Sequence, residues 1–104
     1  MYKLSNEHES IMVIDVSNIY TVKELHLLLK EKLEFPDFYG ENWDAFWDCI
    51  TGFVSPLPNK IIFNGWSKLE NKLPRDTKIM KECLLDYNKE DRKDPEWKSE
   101  FLFN

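Results

Sequence analysis

The spacing of apolar residues along the chain predicts three strands and four helices. A continuous apolar run at residues 11–14, rich in β-branched side chains, predicts a first strand that is covered on both faces, as in a parallel sheet. The stretches at 60–63 and 97–103 predict the second and third strands. The order strand, two helices, strand, two helices, strand predicts an α/β fold with a three-stranded parallel sheet and right-handed crossovers.

Capping residues and prolines set the expected ends of most helices. Thr21 followed by Glu24 forms a capping box, which predicts that the first helix begins there, and Pro36 prevents that helix from continuing. A short third helix is expected to reach Leu73 and to stop at Pro74. The expected caps of the last two helices are Ser67 and then Asp76 or Thr77.

Residues 38–52 hold the densest group of aromatic and acidic side chains, and they include the second helix. Asn42 is expected to cap a helix that begins at Trp43, runs to about Thr51 and stops at Gly52. Steps of about 100° per residue predict which side chains share the core side. These are Trp43, Phe46, Cys49 and Ile50. The same steps place Asp44, Asp48 and Thr51 on a neighbouring side of the helix. Trp47 lies at the boundary between that side and the core side.

Two interpretations of this acidic side are open. In the structural one, Asp44 lies in the first turn, where a carboxylate interacts favourably with the helix dipole. Asp48 lies beyond the first turn and four residues after Asp44, a like-charge spacing that costs a helix about 0.2–0.5 kcal/mol. Carboxylates beside a half-exposed Trp47 are instead typical of a surface that docks into a basic cleft, such as the phosphate-binding cleft of a ribonuclease.

Composition limits the kind of partner. The 104 residues are enough for one domain with its own core. The 19 acidic and 14 basic residues give a formal net charge of −5, which opposes nucleic-acid binding and favours a basic partner. Neither a membrane-spanning apolar stretch nor an export signal is evident, so we expect a cytoplasmic protein with no membrane partner.

The remaining chemically distinctive residues favour structural roles. Cys49 and Cys83 each lie in a helical apolar pattern, which predicts reduced, buried thiols and neither a disulfide nor a zinc site. His26 lies at the edge of the apolar stripe of the first helix and has no ligand set at metal spacing, so a structural histidine is expected. Residues 1–10 are expected to form a polar arm ahead of a single domain at 11–104.

The central motif resembles the signature of the barstar family, intracellular protein inhibitors of a secreted bacterial ribonuclease. The residues that carry the resemblance are Tyr39, Gly40, Glu41, Asn42, Asp44, Ala45, Trp47, Asp48, Cys49, Thr51 and Gly52. The upstream matches to the first helix and the following loop are Glu24, Leu25, His26, Leu33 and Pro36. The resemblance is good between about residues 11 and 62, and beyond them the order of elements matches.

The resemblance implies a barstar-like fold in which a loop and the second helix enter the active site of the nuclease. Asp48 then matches the aspartate that occupies a phosphate site, and Asp44 and Trp47 match its neighbours. The other residues implied in partner binding are Phe38, Tyr39, Gly40, Asn42, Thr51, Gly52 and, on the last helix, Asp86.

Three positions depart from the best-known barstar. Phe38 replaces a tyrosine, so that a ring is kept and a hydroxyl is lost, whereas Trp43 and Phe46 stand where that protein has leucines. Cognate inhibitor pairs discriminate by mismatches as well as by attraction, so the resemblance does not name the nuclease.

The sequence therefore predicts a protein inhibitor of the antitoxin type, monomeric when free, that binds a barnase-like ribonuclease or a related basic toxin without a cofactor. One alternative is an acidic adaptor that binds a basic protein other than a nuclease. A second is an enzyme in which Asp44 and Asp48 hold a divalent metal or divide acid and base roles. We expect no enzyme, because neither a third ligand set nor a phosphate-binding glycine loop is evident.

Overall fold

Three parallel strands and four α-helices form the part of the chain that the computed structural model describes, residues 10–54, 57–89 and 98–104. In chain order the elements are β1 (Ile11–Asp15), α1 (Val22–Leu33), α2 (Trp43–Asp48), a π-helix (Cys49–Phe53), β2 (Lys60–Asn64), α3 (Trp66–Lys72), α4 (Pro74–Tyr87) and β3 (Glu100–Phe103). This confirms the predicted α/β fold. Residues 1–9 of the expected polar arm at 1–10 lie outside the described residues, as do residues 90–97 ahead of the third strand. Within the described ranges, no helix is long and apolar enough to cross a membrane.

The sheet has the order β1-β2-β3, and both neighbouring pairs of strands are parallel. Ile14 lies opposite Phe63 in the register, and both side chains are fully buried. The prediction that the first strand is covered on both faces is wrong, because Ile11 and Val13 are 61% and 51% exposed. An edge strand can carry a continuous apolar run while only alternate side chains enter the core.

Helix α1 begins where the capping box predicts. The Thr21 hydroxyl oxygen accepts a hydrogen bond from the backbone N–H of Glu24 at 3.1 Å, and the Glu24 carboxylate accepts one from the N–H of Thr21 at 3.0 Å. Leu25 and Leu29 are fully buried, so the apolar side of this helix packs into the core. The helix ends in a left-handed residue, Glu34, two positions before the proline.

Helix α2 is capped as predicted, since the side-chain oxygen of Asn42 accepts a hydrogen bond from the N–H of Ala45 at 2.7 Å. Its buried side includes Phe46, Cys49 and Ile50, as the helical spacing predicts. Trp43, which was expected in the core, is only half-buried.

The predicted stop of this helix at Gly52 is wrong. The helical backbone continues to Phe53 as a π-helix, in which the N–H of Val54 donates to the carbonyl of Cys49 at 2.9 Å. The Thr51 hydroxyl donates to the carbonyl of Trp47 at 2.7 Å, the oxygen that a regular α-helix reserves for the N–H of Thr51. This competition favours the wider turn.

The predicted caps of the last two helices are also wrong. Gly65, in the left-handed region, precedes α3 without a side-chain cap, and Ser67 lies inside that helix. Pro74 begins α4, because a residue without an N–H fits the first helical turn. Asp76 and Thr77 therefore lie within the first turn of α4, where the Thr77 hydroxyl donates to a backbone carbonyl of the preceding turn at 2.9 Å.

Polar hydrogen bonds precede the first and last strands. β3 spans Glu100–Phe103, and just before it the N–H of Ser99 donates to the side chain of Asn88 at 2.9 Å. Residue 97, where this strand was predicted to begin, lies outside the described residues. Ser10, assigned to the polar arm, exchanges hydrogen bonds with Asn59 at 2.9 and 3.2 Å. These bonds join Ser10, directly before β1, to Asn59, directly before β2.

A Gly65→Ala substitution should destabilise the protein by about 1–3 kcal/mol or more, since a β-carbon there would lie 2.4 Å from Cβ of Ser17 and the residue has φ +85°. Gly52→Ala is the matched control, because nothing lies within 4 Å of its added β-carbon. Urea unfolding measures both free energies. Equal effects of the two substitutions would contradict the assigned role of Gly65.

Candidate partner-binding site

An acidic, half-aromatic surface runs along α2 and into the π-helix. We call it the acidic helix face and define it by Asp44, Trp47, Asp48 and Thr51, which follow the i, i+3, i+4, i+7 spacing of one helix side. Asp44 and Asp48 are exposed, whereas Trp47 and Thr51 are half-buried. The face therefore presents two carboxylates to the solvent, beside two side chains that are partly buried.

Both carboxylates of this face are available to a partner. The ion pairs found among the described residues are Lys60 with Glu100 and Lys89 with Asp86, so neither Asp44 nor Asp48 is neutralised within those ranges. Their negative charges contribute to raising the pKa values of the neighbouring thiols. Burial raises the pKa of Cys49, and the Asp48 carboxylate raises it further. Burial also raises the pKa of Cys83, with smaller contributions from the carboxylates of Asp86, Glu82 and Asp44.

Two exposed aromatic rings continue the surface beyond the acidic helix face. Phe38 is 71% exposed and Phe53 is 61% exposed, and their ring centroids lie 5.3 Å apart in an edge-on arrangement. The resemblance implied Phe38, but the sequence interpretation missed Phe53 because it ended the helix at Gly52. An aromatic residue directly after the motif was the available signal.

The loop before α2, residues 34–42, is held by side chains that turn inward; we call it the docking loop. Phe35 and Tyr39 are both 5% exposed, and their ring centroids lie 4.8 Å apart. Lys30 of α1 donates a hydrogen bond to the carbonyl of Asp37 at 3.3 Å. These contacts leave Asp37, Phe38 and Gly40 exposed at the outer side of the loop.

Partner contact by Tyr39 stays a prediction, but its side chain is buried in the core and offers little surface. Gly40 lies beneath the Asn42 side chain, whose amide donates to the Gly40 carbonyl at 3.3 Å. Glu41, between them, has φ +54°, which is uncommon for a residue other than glycine. Gly52 is exposed beside the acidic helix face. The implied site residues thus divide into exposed groups and groups that shape the loop.

Helix α4 brings further carboxylates near the acidic helix face. Asp86 is exposed and forms an ion pair with Lys89 at 3.7 Å, a type of surface pair that contributes about 0–1 kcal/mol. Glu82, one turn earlier, is also exposed. Both carboxylates, together with that of Asp44 on α2, raise the pKa of the Cys83 thiol on α4. The sequence analysis did not single out Glu82, although its spacing of four residues from Asp86 was a signal for a second acidic position on this helix.

A buried polar group lies beneath the docking loop. His26 is 1% exposed and its Nδ1 lies 2.5 Å from the Tyr39 hydroxyl, which confirms a structural histidine. Its ring centroid is 4.3 Å from that of Trp43, whose indole N–H donates to the Asp76 carboxylate at 2.9 Å. Burial lowers the pKa of His26, while the charges of Asp76 and Glu41 oppose this shift.

The same described ranges contain no cluster of three or more His, Cys, Asp or Glu side chains that could together hold a metal ion.

The lowered pKa of His26 makes stability depend on pH. Because the folded protein holds this pKa below the ordinary 6.5, the unfolded chain binds more protons as the pH falls below that value. The free energy of unfolding should therefore decrease from about pH 6.5 downward until the folded pKa is passed. Urea unfolding at several pH values measures this slope.

The matched variant for this measurement is His26→Gln, which keeps a polar side chain without a titrating group in this range. Its free energy of unfolding should change less between pH 7 and pH 5 than that of the wild-type protein, whatever its absolute stability. Identical slopes in the two proteins would show that His26 is not the group responsible.

The chain is similar in sequence to known proteins. The family model for barstar, described as a barnase inhibitor, matches residues 9–99. A curated relative from Bacillus subtilis (strain 168), named "Putative ribonuclease inhibitor YrdF", is 44% identical over 55 residues. That alignment covers 53% of this chain and 59% of the relative, so the chain is matched over little more than half of either length. The match to the family model extends over most of the chain, which therefore belongs to the barstar family.

Proposed function

We propose that this protein inhibits a ribonuclease by inserting the acidic helix face and the docking loop into its basic active-site cleft. In this proposal the carboxylate of Asp48 occupies a position that a substrate phosphate would take, and it accepts charge-assisted hydrogen bonds from arginine or lysine. The family described as barnase inhibitors and the relative named as a ribonuclease inhibitor support this target class.

The observation that carries the proposal is the exposure of Asp44 and Asp48 four residues apart, without an ion pair among the described residues. Two like charges at this spacing cost helix stability, and no ion pair with a described residue offsets the cost. A basic cleft would provide a cation. Trp47 lies at the boundary of this acidic side and would supply buried aromatic area beside the two carboxylates at the centre of the contact.

The remaining residues would act around this centre. Phe38 and Phe53 would add apolar contact at one edge, and the carboxylates of Asp86 and Glu82 would add charge on the side of α4. Gly40, Asn42, Thr51 and Gly52 would shape the loop and the end of the helix. In this proposal the protein acts inside the cell as an antitoxin-type inhibitor and is monomeric before it binds.

An Asp48→Ala variant should lose inhibition of a barnase-like ribonuclease while it remains folded. Loss of hydrogen bonds to a charged group corresponds to about 1.5–3 kcal/mol, or roughly a 10- to 150-fold rise in Kd. Stability should stay the same or increase by about 0.2–0.5 kcal/mol, because the repulsion from Asp44 is removed. Titration of each purified protein into a ribonuclease assay measures the inhibition, and urea unfolding measures the stability.

Glu70→Ala is the matched control, because it also removes one exposed carboxylate from a helix, here α3, and changes the net charge equally. It should inhibit as the wild-type protein does. Equal losses in the two variants would indicate nonspecific electrostatic attraction. If the folded wild-type protein does not inhibit the ribonuclease, the target assignment is wrong, and a basic partner that is not a nuclease becomes the better explanation.

Salt should slow association more than it accelerates dissociation. Raising the ionic strength from about 0.1 M to about 1 M shortens the Debye length from about 10 Å to about 3 Å, so that the long-range attraction of a basic cleft is screened. We expect the association rate constant to fall about tenfold or more. Stopped-flow fluorescence measures it, and an association rate that does not respond to salt would exclude electrostatic steering.

A further inference from the structure

The docking loop is joined to α1 through a buried hydroxyl. Tyr39 lies directly after the exposed Phe38, yet its own ring is 5% exposed and its hydroxyl lies 2.5 Å from Nδ1 of His26. His26 is 1% exposed and belongs to α1, which packs in the core. A single residue thus separates a ring that faces solvent from a ring fixed in the interior.

The first residue of α2 is joined to two other helices in a similar way. The ring of Trp43 lies against His26 of α1, with centroids 4.3 Å apart, and its indole N–H donates to Asp76 of α4 at 2.9 Å. The exposed Asp44 follows directly in the chain. A leucine at position 43, as in the best-known barstar, could not donate this hydrogen bond, so the connection to α4 depends on the tryptophan of this chain.

These contacts bear on binding because a surface that is already ordered loses less conformational entropy when a partner docks. Phe38 and Asp44 are each one residue from an anchor that reaches into the interior, the buried Tyr39 or the half-buried Trp43. Any displacement of an anchor therefore moves a group that would face the partner.

We propose that Tyr39 and Trp43 are positioning residues, which fix the docking loop and the start of α2 through His26 and Asp76 without having to contact the partner through their own polar atoms. This inference rests on the proposed function, because it concerns the same surface. It attributes part of the affinity for the partner to residues whose contacts lie inside the fold. An inspection of the exposed face alone would omit them.

The first test compares Tyr39→Phe with Tyr87→Phe. Tyr87 is the matched control, because it is also a buried tyrosine whose hydroxyl makes a hydrogen bond, accepted from the N–H of Leu57 at 2.9 Å. It follows Asp86 in the chain, but both residues belong to α4, whose main-chain hydrogen bonds hold that segment without the hydroxyl. Both variants remove one buried hydroxyl and should lower the melting temperature. We expect Tyr39→Phe to raise the Kd for a barnase-like ribonuclease about fivefold or more, and Tyr87→Phe to leave it within about twofold.

Amide hydrogen exchange in the free protein separates positioning from direct contact by the Tyr39 hydroxyl. In Tyr39→Phe, a peptide that covers residues 38–42 should exchange faster than in Tyr87→Phe at matched overall stability. Unchanged exchange in this segment would overturn the inference even if binding is weakened, because the hydroxyl would then act on the partner itself.

The second test compares Asp76→Asn with Asp76→Ala. Both remove the charge, but asparagine keeps a side-chain oxygen that can accept the hydrogen bond of the Trp43 indole. We expect Asp76→Asn to bind more tightly than Asp76→Ala by about threefold or more. Equal affinities would show that this hydrogen bond does not position α2.

The wild-type titration distinguishes a failure of the positioning role from a failure of the proposed function. If the wild-type protein inhibits the ribonuclease and the Tyr39 and Tyr87 variants bind equally well, the positioning role is wrong and the proposed function stands. If the wild-type protein does not inhibit, the proposed function is wrong and the positioning role for docking falls with it.

Discussion

The shape of the candidate binding surface follows from the burial of Tyr39 beneath the loop that it belongs to. Its hydroxyl meets a neutral imidazole, His26, in a position from which water is excluded, and its ring packs on Phe35. Burial raises the pKa of Tyr39, so the hydroxyl stays protonated and can serve as the donor to His26. A loop of this kind has no strand or helix to fix it, and buried side chains take over that role.

The acidic helix face, in contrast, slightly lowers the stability of the fold. Asp44 and Asp48 repel each other across one helical turn, and the described residues provide no cation for either. The cost is small compared with the burial of Phe46 and Ile50 on the other side of the same helical segment, since a fully buried large apolar side chain contributes about 1.5–3 kcal/mol. One side of the helix can therefore hold the fold while the other keeps charges that only a partner can neutralise.

The sequence predicted the features that local chemistry decides. The capping box of Thr21 and the N-cap of Asn42 both place a side-chain acceptor beside the free N–H groups of a first turn, and both were found as predicted. The cap of α3 could not be predicted in this way, because Gly65 acts through its left-handed backbone and its close approach to Ser17. Likewise, an apolar run such as β1 does not reveal that Val13 faces solvent, since this depends on which layers cover the sheet.

The candidate site was also predicted only as far as the helical repeat holds. A period of 3.6 residues applies to Asp44, Trp47 and Asp48 of α2, but not to the π-helix that contains Thr51, in which Val54 bonds to Cys49 five residues earlier. The wider turn keeps the backbone helical past Gly52, and Phe53 then lies beside Phe38 of the docking loop. The loop before α2 and the turn after it thus meet through two exposed rings. Since Phe38 is one residue from the buried Tyr39, the aromatic edge of the surface is fixed from the same interior contact as its acidic centre.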